Sequence, residues 1–210
     1  TNSLSNKEMI DKLIEASQAG VEILLLVRGI CCLQVGIPGV SDNITIKSIV
    51  GRYLEHSRIF SFGVGKRQKI YIGSADWMTR NMDYRVEVAV EILDEGVKKT
   101  LNEMLELYFS DNRKLRTMDA EGNYRRPVRE EGEVILDSQI ALFDYFAAKL
   151  QKARKKQQKK DIEWESSQIK KEKIKAKEKN KSKKKRKEDH KKKQYGFLKK
   201  ERQKGKKNKK

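Results

Sequence analysis

Four residues in the first half of the chain have the side chains that phosphate chemistry requires: Arg28, His56, Arg58 and Arg85. A histidine can accept or donate a proton or attack phosphorus, and a guanidinium presents a planar fork that matches phosphate oxygens. His56 and Arg58 are two residues apart, so in an extended strand they would lie on the same side. Together they would combine an acid–base group with a phosphate-binding cation.

Arg28 directly follows Val21 to Val27, an apolar run with the length of a buried strand. Open α/β sheets bind ligands at the carboxyl ends of their strands, which is where this arginine would stand. Each residue also has a structural alternative when it is considered alone. Arg28 could form a surface ion pair, and His56 could be a structural histidine.

A group of small and polar residues begins fourteen positions after Arg58, where residues 72–78 read IGSADWM. The small residues would let the backbone approach a ligand closely, while Asp76, Asn81 and Arg85 supply polar groups around it. Trp77 is equally consistent with a core position.

The elements that would position these residues follow an α/β pattern. A capping box formed by Ser5 and Glu8 predicts the start of a helix, which Gly20 ends before the buried strand. Such a strand is expected to be covered by helices on both faces of a mixed sheet. Further strands are predicted at 44–50, 58–62, 69–72 and 85–92, helices at 96–109 and 138–150, and irregular structure at 111–136.

The order of these motifs resembles a known pattern. His56-x-Arg58, a strand, and Gly73-Ser74-x-Asp76 are similar to the His-x-Lys and Gly-Ser-x-Asn motifs of the phospholipase D superfamily, with Arg for Lys and Asp for Asn. These two differences indicate one branch of that superfamily, the polyphosphate kinases. The resemblance covers about residues 1–148 and is carried by residues 16–21, 27–33, 48–59 and 74–87, and further by Tyr108–Asp111.

The resemblance implies an α/β fold of phospholipase D type, with a mixed β-sheet flanked by helices. It also implies reversible transfer of the terminal phosphate of ATP to inorganic polyphosphate through a phosphohistidine, with Mg²⁺. On this basis Arg28 and His56 would bind ATP, and His56 would be catalytic by assisting proton movement or phosphate transfer. Arg58 and Arg85 would line the polyphosphate path. Phosphate transfer between polyanions depends mainly on cationic groups, so the arginines agree with the implied activity.

One part of the family pattern has no counterpart here. The phosphorylated histidine and the magnesium-binding arginines of such enzymes belong to a preceding domain, and no position of this chain matches them. His190 does not replace the histidine, because it stands in a lysine-rich segment. We therefore expect this chain to be a piece of a longer protein, and the full-length protein to be a homo-oligomer. Residues 1–210 alone are not expected to complete the reaction.

The charge of the chain is concentrated in its last part. Residues 149–210 contain 30 Lys and Arg against 8 Asp and Glu, whereas residues 1–148 contain 19 against 22. This contrast predicts a domain at 1–148 and a lysine-rich tail at 149–210 that is disordered or a solvated helix. The tail is either a solubilising extension or a surface that retains polyphosphate, nucleic acid or an anionic membrane through counterion release.

Two further functions remain open from the sequence. A phosphodiesterase of phospholipase D type would require lysine in place of Arg58 and a second His-x-Lys motif. A non-enzymatic polyanion-binding protein would depend on the tail, with the domain as a remnant.

Cysteine use and hydropathy bear on location. Cys31 and Cys32 are adjacent and cannot form a disulfide framework, and the chain has no run near 18 apolar residues. We expect a cytoplasmic protein, with peripheral membrane association as an alternative.

Overall fold

The computed structural model describes residues 1–207. Within its last helix, side chains are described as far as residue 175 and at 177, 181 and 182. The chain divides into two compact units, Thr1–Ala147 and Ala148–Lys210. The boundary predicted after residue 148 lies next to this division.

Four α-helices and seven β-strands occur in the described residues. The helices are α1 Lys7–Gln18, α2 Thr79–Asp83, α3 Glu95–Phe109 and α4 Ser138–Lys207. The strands are β1 Ile23–Leu26, β2 Ile44–Ile49, β3 Ile59–Phe62, β4 Lys69–Gly73, β5 Ala89–Glu91, β6 Leu115–Met118 and β7 Tyr124–Arg125, with a 3₁₀ turn at Gly65–Arg67.

The strands form two sheets rather than the single sheet that is simplest from the sequence. The first is mixed, in the order β1-β2-β6-β7, with β1 and β2 parallel and the other neighbours antiparallel. The second is antiparallel, in the order β3-β4-β5. The predicted α/β class with a mixed sheet flanked by helices is confirmed.

Apolar residues lie on both faces of the mixed sheet. Ile44 and Ile46 of β2 belong to one core cluster, against which the apolar residues of α1 pack. Ile49, whose side chain points to the opposite face, belongs to a second cluster with Tyr108 of α3 and Leu142 of α4. The sheet is therefore covered by helices on both faces, although Leu24 of β1 remains 50% exposed.

Two segments differ from the sequence prediction because of their partners. The alternating pattern predicts a strand over 85–92, but β5 comprises only Ala89–Glu91, since its neighbour β4 ends at Gly73. The segment predicted to be irregular at 111–136 contains β6 and β7, and β6 pairs with β2. Neither pairing is visible in the local sequence.

The start of α1 also corrects the prediction. Asn6 is the N-cap, and its side-chain oxygen accepts a hydrogen bond from the backbone nitrogen of Met9 at 3.0 Å. Ser5 lies one residue before the cap, and the backbone nitrogens of Ser5 and Asn6 both donate to Trp77 O, at 2.8 and 2.9 Å. The helix ends as predicted, with Gly20 at a positive φ of 83°.

The lysine-rich tail belongs to α4, which is helical to Lys207. Helix is one of the two states predicted for it. The side chains of His190 and of the basic run at 183–187 lie outside the described residues. None of the helices in the described part of the chain has the length and apolar character needed to cross a bilayer.

Replacement of the N-cap tests the start of α1. We expect Asn6→Ala to lower the free energy of unfolding by about 1 kcal/mol, because the Met9 nitrogen loses its acceptor, whereas Ser5→Ala should change it much less. Urea unfolding would be followed by the fluorescence of Trp77 in a Trp164→Phe background. A larger loss of unfolding free energy for Ser5→Ala than for Asn6→Ala would show that Ser5, and not Asn6, caps the helix.

Candidate functional site

A buried ion pair between Arg58 and Asp76 lies at the centre of the site. Nε of Arg58 donates to Oδ1 of Asp76 at 3.1 Å, and Nη2 donates to Oδ2 at 3.0 Å. The two side chains are 14% and 4% exposed. Antiparallel pairing positions them, because Arg58 immediately precedes β3, Asp76 follows β4, and Gly73 N donates to Arg58 O at 3.1 Å. The pair therefore joins two loops at one end of the second sheet.

The ionised form of Asp76 is strongly favoured. Burial raises the pKa of this carboxyl, but the hydrogen bonds from Arg58, from the backbone of Asn2 and from the Thr1 hydroxyl outweigh burial and lower the pKa to about 2. The carboxylate therefore keeps its charge throughout the physiological pH range.

His56 is exposed and contacts the same arginine. Its ring nitrogen Nε2 is 2.8 Å from Nη2 of Arg58, and its backbone oxygen accepts from Nη1 at 3.3 Å. The prediction that His56 and Arg58 lie on one side of the chain agrees with this contact. Of the five N–H groups of Arg58, these bonds and the two to Asp76 use four.

Arg28 reaches this group through Asn2. The Oδ1 atom of Asn2 accepts from both Nε, at 2.9 Å, and Nη2 of Arg28, while the backbone nitrogen of Asn2 donates to Asp76 at 2.9 Å. Arg28, Asn2, Asp76, Arg58 and His56 thus form one hydrogen-bonded chain. The sequence analysis missed Asn2, because nothing in the local pattern marks it.

Backbone pairing of the first residues explains the position of Asn2. Leu4 is fully buried and bridges two separate loops, those of Cys31 and Trp77. Leu4 N donates to Ile30 O at 2.8 Å, and Trp77 N donates to Ser3 O at 3.1 Å. The segment at residues 1–6 therefore joins the loop of Arg28 to the loop of Asp76.

The loop before His56 is held by Glu55. Each carboxylate oxygen of Glu55 accepts one hydrogen bond, Oε2 from the hydroxyl of Tyr108 at 2.8 Å and Oε1 from Nε2 of Gln139 at 2.6 Å. Gln139 also exchanges two hydrogen bonds with the backbone of Tyr53. Burial, followed by the bond to Glu55, raises the pKa of Tyr108. The sequence analysis assigned no role to these positioning residues. Glu55 and Tyr108 fall within the segments that carry the resemblance, at 48–59 and 108–111, whereas Gln139 lies outside them.

Asp111 fixes the two helices that supply Tyr108 and Gln139. It is 1% exposed, and its Oδ1 accepts from the backbone nitrogens of residues 113–115, while Oδ2 accepts from Ser138 N at 2.7 Å. Burial raises the pKa of Asp111, but these hydrogen bonds outweigh it and leave the pKa below its ordinary value. The end of α3 and the start of α4 are thereby joined.

Ser74 and Asn81 both bind Glu87. Ser74 Oγ donates to Oε2 of Glu87, and Nδ2 of Asn81 donates to Oε1 at 2.6 Å. These bonds lower the pKa of Glu87. The positive charges of Arg85 and Arg58 lower it further. Arg85 itself is exposed, close enough to Glu87 to influence it.

A cavity of about 870 Å³ opens beside the site within the first unit. Its lining includes Arg28, Leu24 of β1 and Leu105 of α3. Phe60 and Trp77 also line it, and their rings stack with centroids 5.1 Å apart and planes 6° apart. The carboxylates of Glu22, Glu55 and Glu106 line the cavity as well, so its lining is mixed, with Arg28 as the only basic side chain among the lining residues.

The described residues do not fit a metal centre of their own. They contain no cluster of three His, Cys, Asp or Glu side chains that could hold an ion. The carboxylates of Asp76 and Asp111 are occupied by Arg58 and by backbone nitrogens respectively. No magnesium-dependent step can therefore be assigned to these side chains.

Comparison with known proteins gives consistent matches. A family profile described as "Polyphosphate kinase C-terminal domain 2" matches residues 1–139. The chain is 51% identical over 142 residues to a polyphosphate kinase of Bacillus cereus, covering 68% of this chain and 20% of that protein. It is 49% identical over 143 residues to a polyphosphate kinase of Halalkalibacterium halodurans, with the same coverage.

A solved structure gives the same result. The crystal structure of polyphosphate kinase from Porphyromonas gingivalis matches with a TM-score of 0.68 and 40% sequence identity, over 71% of this chain and 23% of that one. The chain spans about a fifth of the length of the curated relatives that it matches.

The ion pair predicts a specific pH dependence. Unfolded Asp76 takes up a proton near its ordinary pKa of about 4, whereas folded Asp76 does so only at about 2. Its stabilisation, about 2 kcal/mol, is therefore complete above pH 4 and is lost as the pH falls towards 2.

Comparison with Asp76→Asn isolates this contribution from other carboxylates. The difference in unfolding free energy between the two proteins should be about 2 kcal/mol larger at pH 6 than at pH 2, as measured by urea unfolding. A difference that does not change with pH would mean that Asp76 titrates normally.

Proposed function

This chain belongs to the polyphosphate kinase family, and we propose that it forms the wall of the active site that binds ATP and polyphosphate during phosphate transfer. The observation that carries the proposal is the hydrogen-bonded chain from Arg28 through Asn2, Asp76 and Arg58 to His56. It brings two arginines and a histidine from two separate loops into one site, and Asp76 of a third loop links them. A site for transfer between two polyanions requires such a group.

In this proposal Arg28 and His56 bind ATP. Asn2 occupies Nε and one Nη2 donor of Arg28, which leaves the two hydrogens of Nη1 and the second hydrogen of Nη2 for phosphate oxygens. The cation is therefore oriented before the substrate arrives, which lowers the cost of organising the transition state. Arg85, which is exposed, is the candidate for the polyphosphate path, whereas Arg58 has one N–H group left and would contribute to that path through this donor alone.

The nucleophile and the magnesium site belong to other parts of such an enzyme. We assign the phosphohistidine to a preceding domain, and Mg²⁺ to ligands in that domain and to the phosphates of ATP. Magnesium would neutralise phosphate charge during transfer. Within this chain the described carboxylates serve positioning instead.

We also propose a cytoplasmic, homo-oligomeric enzyme. The sequence contains two cysteines, Cys31 and Cys32, and lacks the cysteine framework of disulfide-bonded secreted domains, which supports a reducing compartment.

Exchange of domains tests the role of His56. Residues 1–148 would replace the matching segment of the Halalkalibacterium halodurans polyphosphate kinase, and ATP-dependent polyphosphate synthesis would be measured. We expect a functional chimaera whose rate falls at least about 100-fold with His56→Ala, the usual cost of removing one hydrogen-bond donor to the charge that develops in the transition state. Purified residues 1–210 alone should show no synthesis.

Arg67→Gln provides the control, because Arg67 is exposed and belongs to the 3₁₀ turn. It should leave the rate unchanged. Full activity of the His56→Ala chimaera, or synthesis by residues 1–210 alone, would contradict the proposal.

We propose in addition that the first part of the tail binds polyphosphate along one side of α4. Lysines 149, 152, 155, 156, 159, 160, 170, 171 and 173 fall within an arc of about 160° at 3.6 residues per turn. We call them the basic stripe. Asp161, Glu165 and Glu172 fall on the opposite side. The stripe has two parts, residues 149–160 and residues 170–173, which are separated by a segment without lysine in which Glu163 falls on the same side. Two cationic rows on an exposed helix match a linear polyanion.

The apolar residues of this segment argue against a membrane as the partner. Ile162, Trp164, Ile169 and Ile174 are 49% to 65% exposed, and at helical spacing they point in different directions. A helix that inserts into a bilayer surface needs a single apolar face, which these residues do not form. Polyphosphate is the polyanion that the family of the first unit favours.

Two matched double variants test the basic stripe. Lys152→Gln with Lys156→Gln removes two charges from it, whereas Arg154→Gln with Lys175→Gln removes two from outside it. Polyphosphate affinity would be measured against salt concentration. We expect the slope of log K against log salt to decrease by roughly 1.4 for the first variant, and by much less for the second. Equal changes would show that only net charge matters, and tighter binding to single-stranded DNA would identify a different partner.

A further inference from the structure

We propose that Arg58 is a positioning residue that fixes the tautomer of His56, with Asp76 holding Arg58 in place. The imidazole then carries its proton on Nδ1 and presents that nitrogen as the donor. The consequence for phosphate binding rests on the function proposed above, but the tautomer itself depends only on the contacts within this chain.

The chemistry of the contact between the two side chains determines the tautomer. Nη2 of Arg58 lies 2.8 Å from Nε2 of His56, which is hydrogen-bonding distance. A guanidinium has only donors, so Nε2 must accept through its lone pair and cannot carry a hydrogen. The proton of the neutral ring is then on Nδ1. In water the neutral imidazole favours the opposite tautomer, so Arg58 reverses the intrinsic preference.

Arg58 is held in the orientation that this contact needs. Its Nε and Nη2 bind the two oxygens of Asp76, and the second hydrogen of Nη2 is directed at the His56 ring. Nη1 donates to the backbone oxygen of His56 at 3.3 Å, so the guanidinium contacts both the ring and the main chain of the same residue. Asp76 is in turn held by Asn2 and Thr1.

This arrangement explains why the two departures from the phospholipase D pattern occur together. A lysine ammonium is a point charge on a flexible stem, and it cannot present a planar fork to both carboxylate oxygens and to an imidazole nitrogen. An asparagine at position 76 would offer Arg58 one acceptor and one opposing donor. Arginine at 58 and aspartate at 76 are therefore one coupled change.

The tautomer gives His56 a defined part in the site. With Nε2 bound to Arg58, the ring contributes a hydrogen bond from Nδ1 to a phosphate oxygen of ATP. The lone pair that could attack phosphorus is engaged. His56 then orients and stabilises phosphate, in agreement with assignment of the nucleophile to another domain.

Nitrogen NMR of the histidine ring tests the proposal directly. The chain has two histidines, so His190→Ala leaves His56 as the single imidazole. Long-range ¹H–¹⁵N correlation on ¹⁵N-histidine-labelled residues 1–210 at pH 8 should show a protonated Nδ1 and an unprotonated Nε2. Arg58→Lys and Asp76→Asn should each shift the ring to the Nε2-protonated form, whereas Arg52→Lys, an exposed arginine of the same loop, should leave the spectrum unchanged.

A protonated Nε2 in the unsubstituted protein overturns the proposal by itself, even if a variant fails to fold. A folded Arg58→Lys variant that keeps the Nδ1 tautomer overturns it as well. An inactive chimaera in which Nδ1 remains protonated would count against the proposed function and not against the positioning of His56.

Discussion

The buried pair between Arg58 and Asp76 is the interaction on which the rest of the site depends. Removing two charges from water is costly, and the cost is recovered only when the geometry is good and the remaining donors and acceptors are satisfied. Here the fork of the arginine meets both carboxylate oxygens. The pair in turn positions the backbone nitrogen of Asn2, which donates to Asp76, and the ring of His56, which accepts from Arg58. Loss of one partner would leave an unpaired charge, at a cost of about 3–5 kcal/mol.

Contacts between distant parts of the chain support this centre from two sides. The segment at residues 1–6 reaches it from the amino-terminal end, and Gln139 reaches the loop before His56 from the start of α4. Gly51 shows how closely that loop is packed, because a Cβ atom there would lie 2.3 Å from the side-chain oxygen of Gln139. Such rigidity suits a reaction in which the protein contributes mainly position and charge.

The sequence predicted those features that a local pattern encodes. The helical spacing of apolar residues located α3, and Gly20 marked the end of α1. Motif order identified Arg28, His56 and Arg58 as a group, and the structure links them. The sequence could not reveal Asn2, because Asn2 reaches Arg28 only when Leu4 pairs with two loops. The short strand β6 was missed for the same reason, since charge within Leu115–Met118 conceals a segment that only β2 stabilises.

The anchored start of α4 changes what an appended sequence needs in order to fold. A helix is difficult to begin, because the first turn orders several residues for a single hydrogen bond, but each later residue adds a bond of its own. Asp111 and Glu55 hold the first turn at Ser138 and Gln139. In a lysine-rich sequence joined there, the first helical turn is already formed, so the helix only has to elongate. Such an extension can be helical without any core of its own, provided that its residues favour helix, as lysine and glutamate do.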